Sequence, residues 1–443
     1  MLSSNLTLLA YALIIVFMAL IMTKRLSVLT ALVVLPIVFA VIGGFGPGIG
    51  KMMLDGVKAI APTGVMLMFA ILYFSLMIDV GLFEPVVTRV VRLVGGDPVK
   101  ICVGTALLAL TVSLDGDGST TYLICTAAML PLYKKLGMSR LMLACIIMLA
   151  GGVMNILPWG GPTARAAAAL KLDMHALFVP LIPAMAFGAA WVVFVAWRFG
   201  LKERARLGVA DAATLAEIHA SAATPEEFER EQSVRRPKLF WFNLALTLAL
   251  MTALVMGVLP LSILFMIAAS LALIVNYPKL EDQRERIAAN AGNILAVVAV
   301  IFAAGVFTGI LDGTGMVKAM AESVVRLVPP SLGPYLAVIT GVLSLPFTFF
   351  ISNDAFYYGV VPVLSEAASH YGISAVEIGR ASLVGQPVHL LSPLVPSTYL
   401  LVGLCGVEMG DHQKFTLKWA SVTCLVLLLV SLLTAVIPLA GRG

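Results

Sequence analysis

Charge is what this chain has least of. Only 12% of its 443 residues are Asp, Glu, Lys or Arg, and 60% are hydrophobic. A soluble domain usually carries about 25% charged residues, so a soluble fold is excluded. Cysteine is also scarce. Cys102, Cys125, Cys145, Cys405 and Cys424 lie in or beside apolar runs without metal-site spacing. They read as small core residues, which excludes a disulfide framework or a zinc site. The net charge of +5 is dispersed over short loops and forms no long basic patch, so no nucleic-acid partner is expected. The N-terminus lacks a basic leader and a small-residue cleavage site, and its apolar run Leu6–Met22 is expected to stay as a first span.

Apolar runs fill the remainder. Several reach the roughly 18 residues that a spanning helix needs, so the chain reads as an all-α polytopic membrane protein. Ten spans are expected, near 6–23, 26–43, 62–82, 140–171, 175–198, 239–257, 259–276, 287–311, 375–404 and 413–438. Lys24, Arg25, Arg89, Arg92, Lys100, Lys134, Lys135 and Arg140 then share one side with the basic 199–238 segment. By the positive-inside rule that side is the cytoplasm, which puts both termini outside and the protein in the plasma membrane as a multi-pass protein. Within 199–238, Thr224-Pro225-Glu226-Glu227 has the form of a capping box opening a short helix.

Two apolar stretches do not fit as single spans. The segments 101–133 and 333–370 are too long, and polar residues break each in the middle: DGDGSTT in the first and SND in the second. Both read as re-entrant hairpins, a form of backbone tolerated at membrane depth only where protein or a water-filled cavity covers it. Each is followed by a span interrupted by Pro and Gly, NILPWGGPT at 155–163 and QPVHLLSPLVPST at 386–398.

The halves also resemble each other. VVRLV at Val90–Val94 recurs at Val324–Val328. At a nearly constant separation Phe69 meets Phe302, Asp79 meets Asp312, Ser119-Thr120-Thr121 meets Ser352-Asn353-Asp354, and Pro158 meets Pro393. Five spans per half put the second half in the opposite orientation. The expected organisation is therefore an inverted repeat at 1–198, a cytoplasmic linker at 199–238 and its counterpart at 239–443. Broken helices at matching positions of inverted repeats point to the binding site of a secondary transporter.

The expected site gathers at tips and breaks. Ser119, Thr120 and Thr121 open the returning arm of the first hairpin; Thr163 follows the first break, and Ser397 and Thr398 the second. Their hydroxyls and the free amides of restarting helices suit an anion. Asn155, Gly161 and Gln386 lie in the two breaks, and Ser352 and Asn353 at the second tip, as further substrate-binding candidates. Arg165 is placed to grip a carboxylate. Asp115, Asp117 and Asp354 would repel such an anion unless cations intervene, which makes them candidate ligands of a divalent metal. Asp117, Asp354 and His389 are the candidate proton carriers. DGDGS is not a calcium loop, because Thr120 and Thr126 stand where glycine and glutamate are required.

LDGDGSTTYLI (114–124), MNILPWGGPTARAA (154–167), SNDAFYYGVVPVL (352–364) and EIGRASLVGQPVHLLSPLVPSTYLLVG (377–403) resemble the citrate–metal:proton symporter family of the ion-transporter superfamily. The resemblance covers nearly the whole chain. It implies proton-driven uptake of citrate complexed with a divalent cation of the magnesium or calcium class, with no permanently bound cofactor and no enzymatic activity. It also implies a homodimer in which a scaffold domain supports an elevator-like transport domain. Dicarboxylate relatives carry Ser-Asn-Thr at both tips. Here the tips read Ser119-Thr120-Thr121 and Ser352-Asn353-Asp354, a departure that favours metal and protons over sodium. The alternative is a sodium-coupled di- or tricarboxylate transporter without metal. An intramembrane aspartyl protease is disfavoured, since Leu114-Asp115-Gly116-Asp117 lacks the Gly-x-Gly-Asp signature and that reading gives the repeat no role.

Overall fold

The computed structural model describes residues 2–23, 25–116, 118–209, 234–327 and 329–442. Asp117 and the Thr224–Glu227 capping sequence lie outside the described residues. Among the described residues there are helices and turns but no strands. Among these residues seven helices are long and apolar enough to cross a membrane, and five shorter apolar helices accompany them.

In chain order the first half holds α1 (Leu2–Met22), α2 (Val28–Ile42), α3 (Ile49–Asp79), α4 (Glu84–Val94), α5 (Pro98–Val112) and α6 (Gly118–Lys135). It continues with α7 (Arg140–Met154), α8 (Gly161–Leu170), α9 (Met174–Phe178) and α10 (Ile182–Leu207). The second half runs α11 (Phe240–Met256), α12 (Leu261–Asn276), α13 (Leu280–Gly313), α14 (Met316–Leu327) and α15 (Leu336–Phe350). A π-helical turn at Ala355–Val360 leads into α16 (Val361–Ser369). Then come α17 (Ala375–Ser382), the single turn α18 (Gln386–His389), α19 (Pro396–Cys405) and α20 (Met409–Leu433).

Element boundaries follow local chemistry. Ser27 caps α2 by accepting from the Thr30 amide at 3.1 Å. Asp97 caps α5, and Pro98 then occupies a first-turn position that needs no amide. Ser374 and Glu377 form a full capping box on α17. Two of the expected spans are longer than the sequence suggests. α3 begins at Ile49 rather than near 62, and α13 at Leu280 rather than near 287. Both starts carry charges (Lys51, Asp55 and Lys58; Glu281, Asp282, Arg284 and Arg286) that an apolar criterion trims away.

The helices pack into two groups. In the first, α3 crosses α13, α12 packs on α3, and α2 packs on α13. The crossing is close because Gly305, Gly309 and Gly313 recur at every fourth position of α13. A Cβ on Gly56 would lie 2.0 Å from the Gly305 carbonyl oxygen, and one on Gly309 2.3 Å from that of Met52. Small residues at this spacing let helix backbones touch, which is how membrane helices gain packing contacts without a hydrophobic drive. The second group holds α5–α10 and α15–α20. Within it α10 packs on α5 and α20, α6 on α19, and α15 on α17.

α10 and α20 run antiparallel: Phe199 stacks near Phe415 and Trp419, while Gly188 faces Leu427. Both ends of the first hairpin meet the C-terminal end of α10. There Arg204 donates to Asp97 at 2.9 Å, Glu203 accepts from the Ser139 amide at 3.1 Å, and Arg206 donates to the Gly137 carbonyl at 2.7 Å. Both ends of the second hairpin meet elsewhere. Gly333 abuts the Tyr371 ring, and Pro334 accepts from the Gly441 amide at 2.6 Å. Arg380 ties that region to the other end of α10, donating to Ala176 at 2.6 Å and to Val436 at 3.1 Å. The two hairpins therefore open at opposite ends of α10.

Candidate functional site

The first hairpin turns through a short 3-10 segment, Ser113–Asp115, and then Gly116. Gly116 has φ +79°, and a Cβ there would lie 2.6 Å from the Trp159 ring. Glycine is required both by the left-handed backbone and by this approach. Trp159 comes from the first break and donates its indole N–H to the Leu114 carbonyl at 2.8 Å, pinning tip to break. Asp115 is buried at the end of the 3-10 segment; Ser119 and Thr120 are partly buried and Thr121 fully so in the first turn of α6.

Beside this tip lies a cavity of about 100 Å³. Ser113, Thr121 and Asn155 line it, with Leu390 and Ser397 contributed by the second break. The buried hydroxyls of Ser113 and Thr121 have no hydrogen-bond partner among the described residues. Such groups cost free energy unless a ligand or water meets them.

The second tip is built differently. α15 ends at Phe350, Ile351 is extended, and Ser352 caps the restart by accepting from the Ala355 amide at 3.1 Å. Asp354 immediately precedes the π-helical turn. Single π turns inside helices occur frequently at functional sites. Asp354 accepts a hydrogen bond from Arg165 Nε at 2.6 Å, so the residue expected to grip substrate is paired with a residue expected to bind metal. Asn353 Oδ1 is buried without a partner among the described residues.

Each break is closed by a threonine that reaches back across it. Thr163 donates to the Ile156 carbonyl at 2.8 Å, and Thr398 donates to the Leu390 carbonyl. These hydroxyls satisfy carbonyls that the interrupted helices leave open, so Thr163 and Thr398 hold the breaks in shape. Gly161 opens α8, with the Arg165 guanidinium close above it. His389 is buried, and its Nδ1 lies 2.7 Å from the Thr348 carbonyl at the end of α15. A carbonyl only accepts, so Nδ1 carries the proton. Asn155 and Gln386 join the two breaks, the Asn155 amide donating to Gln386 Oε1 at 3.0 Å.

Tips and breaks thus come together. Among the described residues no three His, Cys, Asp or Glu side chains form a metal-ligating group, and Asp354 faces Arg165 rather than another carboxylate. Ser113, Trp159 and Tyr357 are residues that the sequence reading missed. Tyr357 receives a hydrogen bond from Gln386 at 2.9 Å. Trp159 adjoins a Gly-Gly pair, the one signal that could have singled it out.

Comparison with known proteins identifies the family. A model of the family described as "CitMHS: Citrate transporter" matches residues 13–385. A protein of Bacillus subtilis (strain 168) named "Citrate transporter" is 60% identical over 432 residues, covering 98% of this chain and 99% of that protein. Another from the same organism, named "Mg(2+)/citrate complex secondary transporter", is 54% identical over 435 residues, with 98% and 99% covered. In fold, the chain is similar to Neisseria gonorrhoeae MtrF, with TM-score 0.62, 13% identity, and 91% of this chain and 87% of that one covered. It is also similar to the Alcanivorax borkumensis YdaH transporter, with TM-score 0.56, 16% identity and 89% and 88% covered. With a matching family model over most of its length and full-length relatives above half identity, the chain belongs to the CitMHS citrate transporter family.

Proposed function

We propose that the protein imports citrate as a complex with a divalent metal ion, together with protons, by alternating access. In this reading the hairpin-bearing group moves against α2, α3, α12 and α13 as an elevator against a scaffold, and the two halves are inverted repeats. The protein is a homodimer in the plasma membrane with the 199–238 linker in the cytoplasm. Support for the two orientations comes from the hairpins opening at opposite ends of α10. Support for the metal comes from the name of the 54% identical relative.

The observation that carries the coupling is the Arg165–Asp354 ion pair between the first break and the second tip. A citrate carboxylate that takes Arg165 Nε displaces Asp354. The displaced carboxylate then faces a polyanion. Two unit charges about 4 Å apart interact by roughly 4 kcal/mol at an effective dielectric near 20. A divalent ion carried by citrate turns that repulsion into attraction, and a proton on Asp354 removes it. Arg165 exchange thereby links anion binding to cation binding.

Citrate uptake into proteoliposomes tests this. Uptake should require divalent metal, respond to a proton gradient, and collapse when a strong chelator is added. Full uptake in chelator under a sodium gradient would replace this reading with the sodium-coupled one.

A further inference from the structure

Tyr357 reaches the first break through a hydrogen-bond chain whose polarity is fixed at one end. Its hydroxyl donates to the Ser382 carbonyl at 3.2 Å, and a backbone carbonyl can only accept. With its single proton committed, Tyr357 can only accept from Gln386, so the Gln386 NH2 must point to it, at 2.9 Å. That leaves Gln386 Oε1 facing Asn155, and Asn155 must meet it with its own NH2, at 3.0 Å. The uncommitted end of Asn155 is therefore its carbonyl oxygen, an acceptor. Asn155 lines the cavity beside the first tip, where the Ser113 and Thr121 oxygens lack partners among the described residues. Gln386 and Tyr357 are both fully buried, so water cannot substitute for either link.

From this chain we infer that Tyr357, acting through Gln386, is a positioning residue for cation selectivity: it holds Asn155 with its oxygen, rather than its NH2, available to the cargo. A cation needs oxygen acceptors, whereas an amide NH2 group serves an anion. The inference rests on the metal-coupled reading, adds Tyr357 to it, and gives Gln386 the role of orienting Asn155 in place of binding substrate. Tyr357 also lies in the π-helical turn that follows Asp354, so one segment serves both tips. Without the Tyr357 hydroxyl, Gln386 is free to rotate its amide, and Asn155 with it. Neither rotation costs a hydrogen bond between the two amides.

The test is a double-mutant cycle on magnesium-citrate uptake in proteoliposomes. Tyr357→Phe keeps the ring, and a melting curve of each purified variant reports folding separately. Tyr357→Phe and Asn155→Ala are each expected to raise the KM for magnesium-citrate about five- to tenfold, the worth of one hydrogen bond, with Vmax within about twofold. Because both act through one chain, the double variant should be no worse than the worse single variant. A KM for Tyr357→Phe indistinguishable from the unmodified protein, or effects that multiply in the double variant, overturns the inference. The unmodified protein is run with and without magnesium. If its uptake ignores the metal, the metal-coupled reading fails, while the cycle can still be read with free citrate.

Discussion

Asp354 is the residue on which the proposed chemistry turns. Asp354→Asn removes the charge but keeps the shape, so the Arg165 guanidinium loses its counter-ion without losing its packing. Metal-dependent uptake should fall at least a hundredfold while the protein still inserts, and Asp117→Asn at the first tip should behave alike. Unimpaired uptake by both variants removes them from the site. A second residue-scale prediction concerns pH and lies at the open end of the first hairpin, where Asp97 meets α10. Burial pushes the Asp97 carboxyl up, but the Arg204 guanidinium and the Val99 amide outweigh it and hold it below the usual carboxylate range. A carboxyl depressed in the folded state contributes stability above its unfolded pKa of about 4, and loses it as pH falls through the folded value. The melting temperature should be insensitive to this pair between about pH 5 and 8 and decline below about 4. Asp97→Asn should lower the plateau and soften the acid limb; an unchanged acid limb would show that other carboxyls dominate there.

At the scale of elements, what the sequence revealed and what it hid follow from the physics. The hairpin tips and the breaks were legible because polar, Pro and Gly residues interrupt otherwise apolar runs, and little but function retains such interruptions inside a membrane. α4 and α14 were missed. At 11 and 12 residues they are too short to span, and each joins the two helix groups, so a search for spans passes over them. The Arg165–Asp354 pair joins residues far apart in sequence, and no local pattern states that distance. Tyr357 was hidden because an aromatic in an apolar run looks like packing. The Gly305–Gly309–Gly313 row was likewise visible only as composition until α3 was placed against it. Gly309→Ala puts a methyl group against the Met52 backbone, which cannot yield as a side chain can. Destabilisation of about 1–3 kcal/mol is expected, read as a lower melting temperature in detergent. Gly292→Ala on the same helix, where a Cβ meets nothing within 4 Å, is the matched control and should melt as the unmodified protein does. Orientation has its own test: cysteines introduced at Lys134 and Ser331 should label from opposite faces of the membrane, and labelling of both from one face would end the inverted-repeat reading.

For the whole molecule, the question is what holds the two helix groups in the arrangement seen. Lys171, at the end of α8 in the hairpin group, pairs with Asp312, at the end of α13 in the other group, at 2.6 Å. Lys171 has φ +53°, a left-handed conformation that costs a non-glycine residue about 1–2 kcal/mol. On the inverted-repeat reading its counterpart is Gly406, which ends α19 at φ +62° and adopts that backbone without strain but offers no side chain. Lys171 therefore supplies an ammonium where Gly406 is a plain glycine cap, and on the elevator reading departure from this arrangement has this tie to break. Lys171→Gly relieves the backbone strain while removing the tie, so its melting temperature should hold or rise. Half-exposed ion pairs are worth about 0.2–1 kcal/mol. On the elevator reading, Lys171→Gly and Asp312→Asn should each speed departure from this arrangement by about two- to fivefold, measured as citrate counterflow in proteoliposomes. The exchanged pair, Lys171→Asp with Asp312→Lys, should return the rate toward that of the unmodified protein. If the single variants leave counterflow unchanged, or the exchanged pair remains fast, the ion pair is incidental and the arrangement is held by apolar packing of α8 on α3 and α13.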